Sequence, residues 1–443
     1  MNQPRVLIIQ TTPYSTNSSS RSLDSYFHFW EKDRVRQVFS RNWKPQKGHC
    51  SELFQITDSD LLKCWFHRKK NIGNIYEYEN LEEQGSSTIL EESNLISRSY
   101  KLGRSHTPTI ELLRGLLWRK KYWCSKRLIQ WLDDYKPELV FYNFTNNLFL
   151  PRIALFVAER YDIPIITAIG DDYYFNERKS ISPAYHLFRS KYKKLTKRVF
   201  QHKGSAVYVC DKIRDKYNEE FGLKGDTVYF NSTVKRKPFS TINLSKPTIA
   251  YFGNIRLGRS IALKSIADAL RNIDPNYRIN IYTNETDESV YHNLGIHPNV
   301  VWNGAVPYSE VISKMQECDI YVIAEGCRKE DINFTKYSLS TKAADGLASG
   351  CAVYAYGPTE SGVIDYLTKT NAVMVCSDDK ELESSLRTLL GDIEMQRQMY
   401  LTSEMIAKEN HTIEGSTKKF ERIIYELFGS NVVDNSYMNG GVE

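Results

Sequence analysis

The stretch Lys336–Pro358, KYSLSTKAADGLASGCAVYAYGP, decides the fold. A polar loop, Ser338–Thr341, leads to Lys342 and a short helix carrying Asp345. Gly350 ends that helix, and the apolar run Cys351–Tyr356 follows until Gly357-Pro358 stops it. Loop, helix, glycine stop and buried strand make one turn of a parallel α/β layer. Such layers bind ligands outside the carboxyl ends of their strands, where helix N-termini offer N–H groups to anions. Lys342 falls in the first turn of its helix, whereas dipole complementarity favours a lysine in the last. The position suits a phosphate that has to be held. It equally suits an exposed lysine on an ordinary crossover helix.

The same pattern continues on both sides of this stretch. Ile249–Phe252, Arg278–Thr283, Val300–Trp302, Ile320–Ala324 and Ala372–Val375 read as further strands, with helices over Ile261–Arg271, Leu382–Leu390 and Ser416–Phe428. Upstream, Val6–Gln10, Val35–Phe39, Leu139–Tyr142, Ile163–Thr167, Ala206–Cys210 and Val228–Asn231 read as strands, and Leu23–Trp30, Arg152–Tyr161 and Asp211–Phe221 as helices. Ser232–Pro247, polar and broken by Pro238 and Pro247, reads as a linker. The expected architecture is α/β, two Rossmann-like doubly wound domains facing a cleft. The first spans 1–236, with a polar insertion at about 71–105; the second spans 237–429; 430–443 reads as a disordered tail.

The length of 443 residues fits about two or three domains. The net charge of +6 permits an acidic substrate or an anionic surface, and no nucleic-acid module is recognisable. The eight cysteines form no CxxC pair, which argues for a reducing compartment and against a zinc site. The opening MNQPRVLIIQTTP has too short an apolar run for a signal peptide, and no stretch nears the roughly 20 residues that span a bilayer. The reading is a cytoplasmic protein with no metal and no cofactor.

Three features of the first half could carry function. Asn17-Ser18-Ser19-Ser20, after the first strand, could present N–H and hydroxyl groups to a ligand or simply be surface. Asp171 and Asp172 follow the strand ending at Thr167, where this architecture puts chemistry. Neighbouring side chains point apart, so one of the two faces the cleft; a capping or turn role is the plain alternative. Pro183–Lys203 pairs an apolar stripe (Tyr185, Phe188, Tyr192, Leu195, Val199) with dense basic residues, and Trp118, Tyr122 and Trp123 lie among the charges Arg114–Arg127. Such helices fit an anionic membrane surface or, inward-facing, a core.

Tyr251–Arg259 (YFGNIRLGR), Val300–Val311, Glu317–Glu325 and Tyr337–Gly350 together resemble the nucleotide-sugar domain of GT-B glycosyltransferases of the group-1, glycogen-synthase-like class. The likeness is greatest to bacterial enzymes of capsular and exopolysaccharide biosynthesis, and covers most of residues 206–390. It implies a donor site of Gly253, Asn254, Arg259, Ser340, Thr341, Lys342 and Asp345. Gly253 would admit a diphosphate, Arg259 and Lys342 would neutralise it, and Asp345 would take the ribose hydroxyls. The first acidic position of the family's Glu-x7-Glu motif is Tyr337 here, and Glu325 could supply the missing carboxylate. Asp172, Asp171 and Glu325 are the candidate catalytic residues.

The implied activity moves a sugar, with retention and without a metal, from a UDP- or GDP-linked donor to a glycan or polyprenyl-linked acceptor. The site would be cytoplasmic, on the inner face of the plasma membrane. A GT-B-fold sugar-nucleotide epimerase needs the same nucleotide site, and Tyr337 also fits an inactive sugar-nucleotide-binding subunit.

Overall fold

The computed structural model describes residues 3–14, 21–67, 72–82, 107–177 and 179–429. The loop Asn17–Ser20 and the tail 430–443 lie outside them. The chain forms two compact units. The first takes Met1–Thr227 and the chain from Thr417 onward; the second is Val228–Ser416.

The sheet of the first unit contains β1 (Val6–Gln10), β2 (Val35–Phe39), β3 (Glu52–Gln55), β4 (Asn74–Glu77), β5 (Leu139–Asn143), β6 (Ile165–Ile169), β7 (Gly204–Tyr208) and β8 (Asp226–Thr227). Their order is β4-β3-β2-β1-β5-β6-β7-β8, all parallel except the edge strand β4. Val6, Leu7, Ile8 and Ile9 are fully buried, as expected of a strand covered on both faces. β4 falls within the expected polar insertion. Its outer residues are exposed, so no apolar alternation marks it.

The second unit contains β9 (Ile249–Phe252), β10 (Ile279–Tyr282), β11 (Val300–Gly304), β12 (Ile320–Ala324), β13 (Ala352–Tyr356) and β14 (Met374–Cys376), ordered β11-β10-β9-β12-β13-β14. This is the doubly wound order 3-2-1-4-5-6. One face is covered by the helix Arg259–Ile273, whose Leu263, Ile266 and Leu270 are fully buried. Each such side chain contributes about 1.5–3 kcal/mol by leaving water. Two parallel α/β units are therefore present, as the sequence predicts.

Val228–Asn231 is not a strand. Its carbonyls are satisfied by side chains instead: His411 Nδ1 donates to Phe230 O at 2.8 Å and Ser416 Oγ to Tyr229 O at 3.0 Å. The predicted linker is held within the second unit, where Lys237 N donates to Ser349 O at 3.0 Å and Arg236 Nη1 to Leu347 O at 2.9 Å.

The aromatic residues assigned to a membrane surface are mostly core. Trp118 is fully buried, stacks on Phe149 at 4.2 Å and donates its indole N–H to Asp58 Oδ1 at 2.6 Å. Trp123 is buried against Phe156. The stripe Tyr185, Phe188, Tyr192, Leu195 and Val199 also faces inward. With its N–H satisfied, the Trp118 ring gains more from a packed interior than from an interface. Among the described residues no helix is long and apolar enough to cross a membrane.

Candidate functional site

In the second unit the strand order reverses between β9 and β12, the place where such sheets bind ligands. These two strands pair only through Ile249–Ile320 and Ala250–Tyr321, so their carboxyl ends diverge. Gly253 follows β9 with φ 118°, a conformation that favours glycine. A Cβ on Gly253 would stand 2.8 Å from Lys342 Cε. The glycine thus lets a lysine lie directly over the backbone.

Lys342 belongs to the helix Thr341–Ser349, capped by Ser340, whose Oγ accepts from Lys342 N at 3.3 Å. Ala343, Ala344 and Leu347 bury the helix's inner face, and Gly350, at φ 80°, ends it. Lys342 is half-buried and not exposed as the sequence suggests. Its Nζ donates to Tyr251 Oη at 2.6 Å and lies 4.3 Å from that ring's centroid. Tyr251 Oη donates onward to Asn254 O.

Arg259 starts the helix Arg259–Ile273. Its guanidinium meets both carboxylate oxygens of Glu325, at 2.9–3.1 Å, and Glu325 is 2 % exposed at the end of β12. Burial opposes the charge of Arg259, but Glu325 outweighs it and holds its pKa above the usual arginine value. Burial and then the like charge of Arg259 pull Lys342 down to about 7, with Glu325 offsetting part of the fall. The site therefore holds a neutralised Arg–Glu pair and one lysine whose charge is poised near neutrality.

The loops after β9 and β12 cross at glycines. A Cβ on Gly258 would come within 3.0 Å of Gly326 Cα, and one on Gly326 within 2.2 Å of Leu257 O. The remaining donor candidates lie as follows. Asn254 is exposed and its Oδ1 accepts from Arg256 N at 2.7 Å. Thr341 is exposed. Asp345 is 6 % exposed and accepts from Ser232 Oγ at 2.7 Å. The structure brings Gly253, Arg259, Lys342 and Glu325 together and sets Asp345 against the segment after Asn231. Tyr251 and the Gly258–Gly326 crossing escaped sequence reasoning, although both lie inside or beside quoted motifs. A cavity of about 170 Å³ lies beyond Gly258, lined by Ile261, Cys327 and Tyr356 among others. It is smaller than the roughly 300 Å³ at which ligand pockets begin.

In the first unit the order reverses between β1 and β5. Neutral amides stand around this reversal: Asn143 Nδ2, at the end of β5, donates to Gln10 Oε1, at the end of β1, at 3.1 Å, and Gln10 and, from the middle of β2, Gln37 both donate to Thr12 O. Asp171 and Asp172 follow the next strand, β6. Asp172 Oδ1 accepts from Phe175 N and from Tyr217 Oη, each at 2.8 Å, which pins the turn. Burial and then the charge of Asp172 push the Tyr217 phenol far up, so it donates as a neutral hydroxyl. Asp172 Oδ2 is buried without a hydrogen bond. Asp171 is exposed and accepts from Tyr173 Oη at 3.1 Å.

No protein-family model and no curated protein matches the sequence. Solved structures do match. Anabaena Alr3699/HepE, crystallised with UDP, aligns over 95 % of this chain and 100 % of its own, with TM-score 0.57 and 11 % identity. Sucrose-phosphate synthase from Thermosynechococcus elongatus aligns over 96 % and 99 %, with TM-score 0.57 and 11 % identity. WaaG, a glycosyltransferase of lipopolysaccharide biosynthesis, aligns over 94 % and 99 %, with TM-score 0.52 and 11 % identity. The chain has the fold of the GT-B glycosyltransferases.

Proposed function

We propose that the protein is a glycosyltransferase that takes its sugar from a nucleoside diphosphate donor bound in the second unit. The observation that carries this reading is Lys342 lying over Gly253 at the β9/β12 reversal. Two helices, Arg259–Ile273 and Thr341–Ser349, begin at this end of the sheet and present N–H groups for an anion. A diphosphate fits the chemistry: breaking a glycosyl–phosphate bond leaves negative charge on the leaving group, and fixed cations stabilise it without reorganising. Lys342, held by Tyr251, supplies the cation, and Glu325 positions Arg259 beside it. The fold likeness to HepE, which binds UDP, supports a UDP-type donor.

Within the proposal, Asp345 and Ser232 form the wall nearest the ribose. Asp171, the more exposed of the two carboxylates after β6, orients the acceptor hydroxyl, while Asp172 holds its turn in place. The resemblance to group-1 enzymes supports retention and charge stabilisation by protein cations alone. It also supports a glycan or polyprenyl-linked acceptor in surface polysaccharide synthesis.

A polyprenyl acceptor would bring the protein to an anionic lipid surface. Side chains suited to such a surface are exposed on two helices, Asp58–His67 (Trp65, Phe66) and Pro108–Leu117 (Leu113), with Arg119, Lys120 and Lys121 exposed after the second.

The test is incubation of the purified chain with UDP-, GDP- and ADP-sugars and a lipid-linked glycan extract, read by mass spectrometry and by NMR of the anomeric product. Transfer from one donor with retained configuration is expected. Epimerised nucleotide sugar, or binding without turnover, overturns the reading. Liposome co-sedimentation at low and high salt tests the membrane part, and equal soluble recovery with and without anionic lipid rejects it.

A further inference from the structure

Metal-ligating side chains converge at one place in the first unit, although the sequence shows no metal motif there. Asp24 lies on the helix Arg21–Phe27, and His28 stands one turn on, its N–H donating to Asp24 O at 3.3 Å. This i, i+4 spacing puts both side chains on one face. His49 arrives from the connection between β2 and β3. One ligand atom from each of the three lies within 4.8 Å of the others. His49 Nε2 is 3.8 Å from Asp24 Oδ1, and the two imidazole rings are 5.5 Å apart.

The surroundings orient this set. Tyr14 Oη donates to Asp24 Oδ1 at 2.9 Å, and the Tyr14 ring lies 5.4 Å from that of His49. A hydrogen bond that fixes a ligating carboxylate is the usual support of a metal site. All three ligands are half-buried, so an ion could enter and keep water on its open positions. Two imidazoles and one carboxylate suit zinc and neighbouring divalent ions. At bond lengths of about 2.0–2.2 Å, ligand atoms in a tetrahedral site stand roughly 3.4 Å apart, so only a small contraction is needed.

We infer that Asp24, His28 and His49 form a binding site for a divalent ion of the zinc class, which fastens the helix Arg21–Phe27 to the β2–β3 connection. The site is separate from the proposed donor site and does not depend on it. The alternative is a metal-free cluster held by hydrogen bonds.

The experiment uses the full chain, stripped with a chelator and titrated with Co²⁺ by absorption, then with Zn²⁺ in competition. One saturable equivalent and a raised Tm with Zn²⁺ are expected. His28→Gln and His49→Gln should each weaken Zn²⁺ binding at least tenfold and lose the Tm rise, while their metal-free Tm stays that of the wild type. Absence of saturable binding, or binding equally tight in both variants, overturns the assignment. A variant with a lowered metal-free Tm is replaced by His28→Asn or His49→Asn and judged by the same titration.

Discussion

The two units share one strand order around their reversal points but line them with opposite chemistry. In the first, the strand ends carry the neutral amides Gln10 and Asn143, bonded to each other, and Gln10 and the mid-strand Gln37 bond to the loop after β1. In the second, the same places carry a glycine, a lysine and an arginine–glutamate pair. Amides tie loops down and leave no net charge. A half-buried lysine beside an arginine is costly until an anion arrives. Topology therefore marks where a ligand can bind in both units, and among the described residues the second is the one whose charges suit a phosphate. This difference is the ground for the proposal that the donor binds in the second unit.

The largest expected effect tests whether the Arg259–Glu325 pair is structural in the second unit. Glu325→Ala strands a buried guanidinium, and removing one partner of such a pair costs about 3–5 kcal/mol. Denaturant unfolding should show that loss, and the double change Arg259→Met with Glu325→Leu should recover most of it. Wild-type stability in Glu325→Ala would mean that the pair is solvated and free to act in catalysis.

Asp171→Asn probes the other side of the comparison. Transfer should drop about 100-fold, the size expected when a reacting group is misplaced. The donor dissociation constant, measured by calorimetry, should not change. Asp172→Asn should instead lower Tm, because Phe175 N and Tyr217 Oη lose a charged acceptor. Equal donor weakening in Asp171→Asn would erase the division of labour between the units.

A smaller effect follows at the lysine. Lys342→Ala removes one charge-assisted contact, worth about 1.5–3 kcal/mol, so donor affinity or turnover should fall tenfold or more. Stability should hold or rise, since a half-buried lysine with a lowered pKa opposes folding. The sign is fixed by linkage: from about pH 7 up to the unfolded lysine value the unfolded chain binds more protons, so wild-type stability rises with pH across that window. Lys342→Ala should flatten that rise.

The sequence is explicit where a strand is buried on both faces. β9 and β12 coincide with their predicted limits, and β13 starts one residue inside its predicted run, because each is an apolar run closed by glycine or proline, or bounded by charge. It is silent where polar residues interrupt the apolar pattern, even in an element that is largely buried. β3 and the helix Ile393–Asn410 carry mixed residues and were not read. The tryptophans show the same limit: amphipathic spacing reveals two faces, not which of them meets a neighbour, and Asp58 and Phe149 lie far from Trp118 in the chain. At the proposed donor site, motif and position single out Gly253 and Lys342, and the structure sets the two side by side. Their connection through Tyr251 was not legible, because it joins residues 91 apart. Nor could the sequence show that Glu325 is committed to Arg259.

The most direct test of the central claim is calorimetric titration of UDP onto the wild type at several pH values, in buffers of different ionisation heat. Lys342 stands near pKa 7 without ligand, and a diphosphate beside it favours the charged form. Proton uptake on binding should therefore grow from about half a proton at pH 7 to close to one at pH 8–9, and affinity should fall as pH rises through that range. Lys342→Arg, charged throughout, should bind without proton uptake. UDP binding that takes up no proton in the wild type, with the same affinity in Lys342→Ala, would contradict the account.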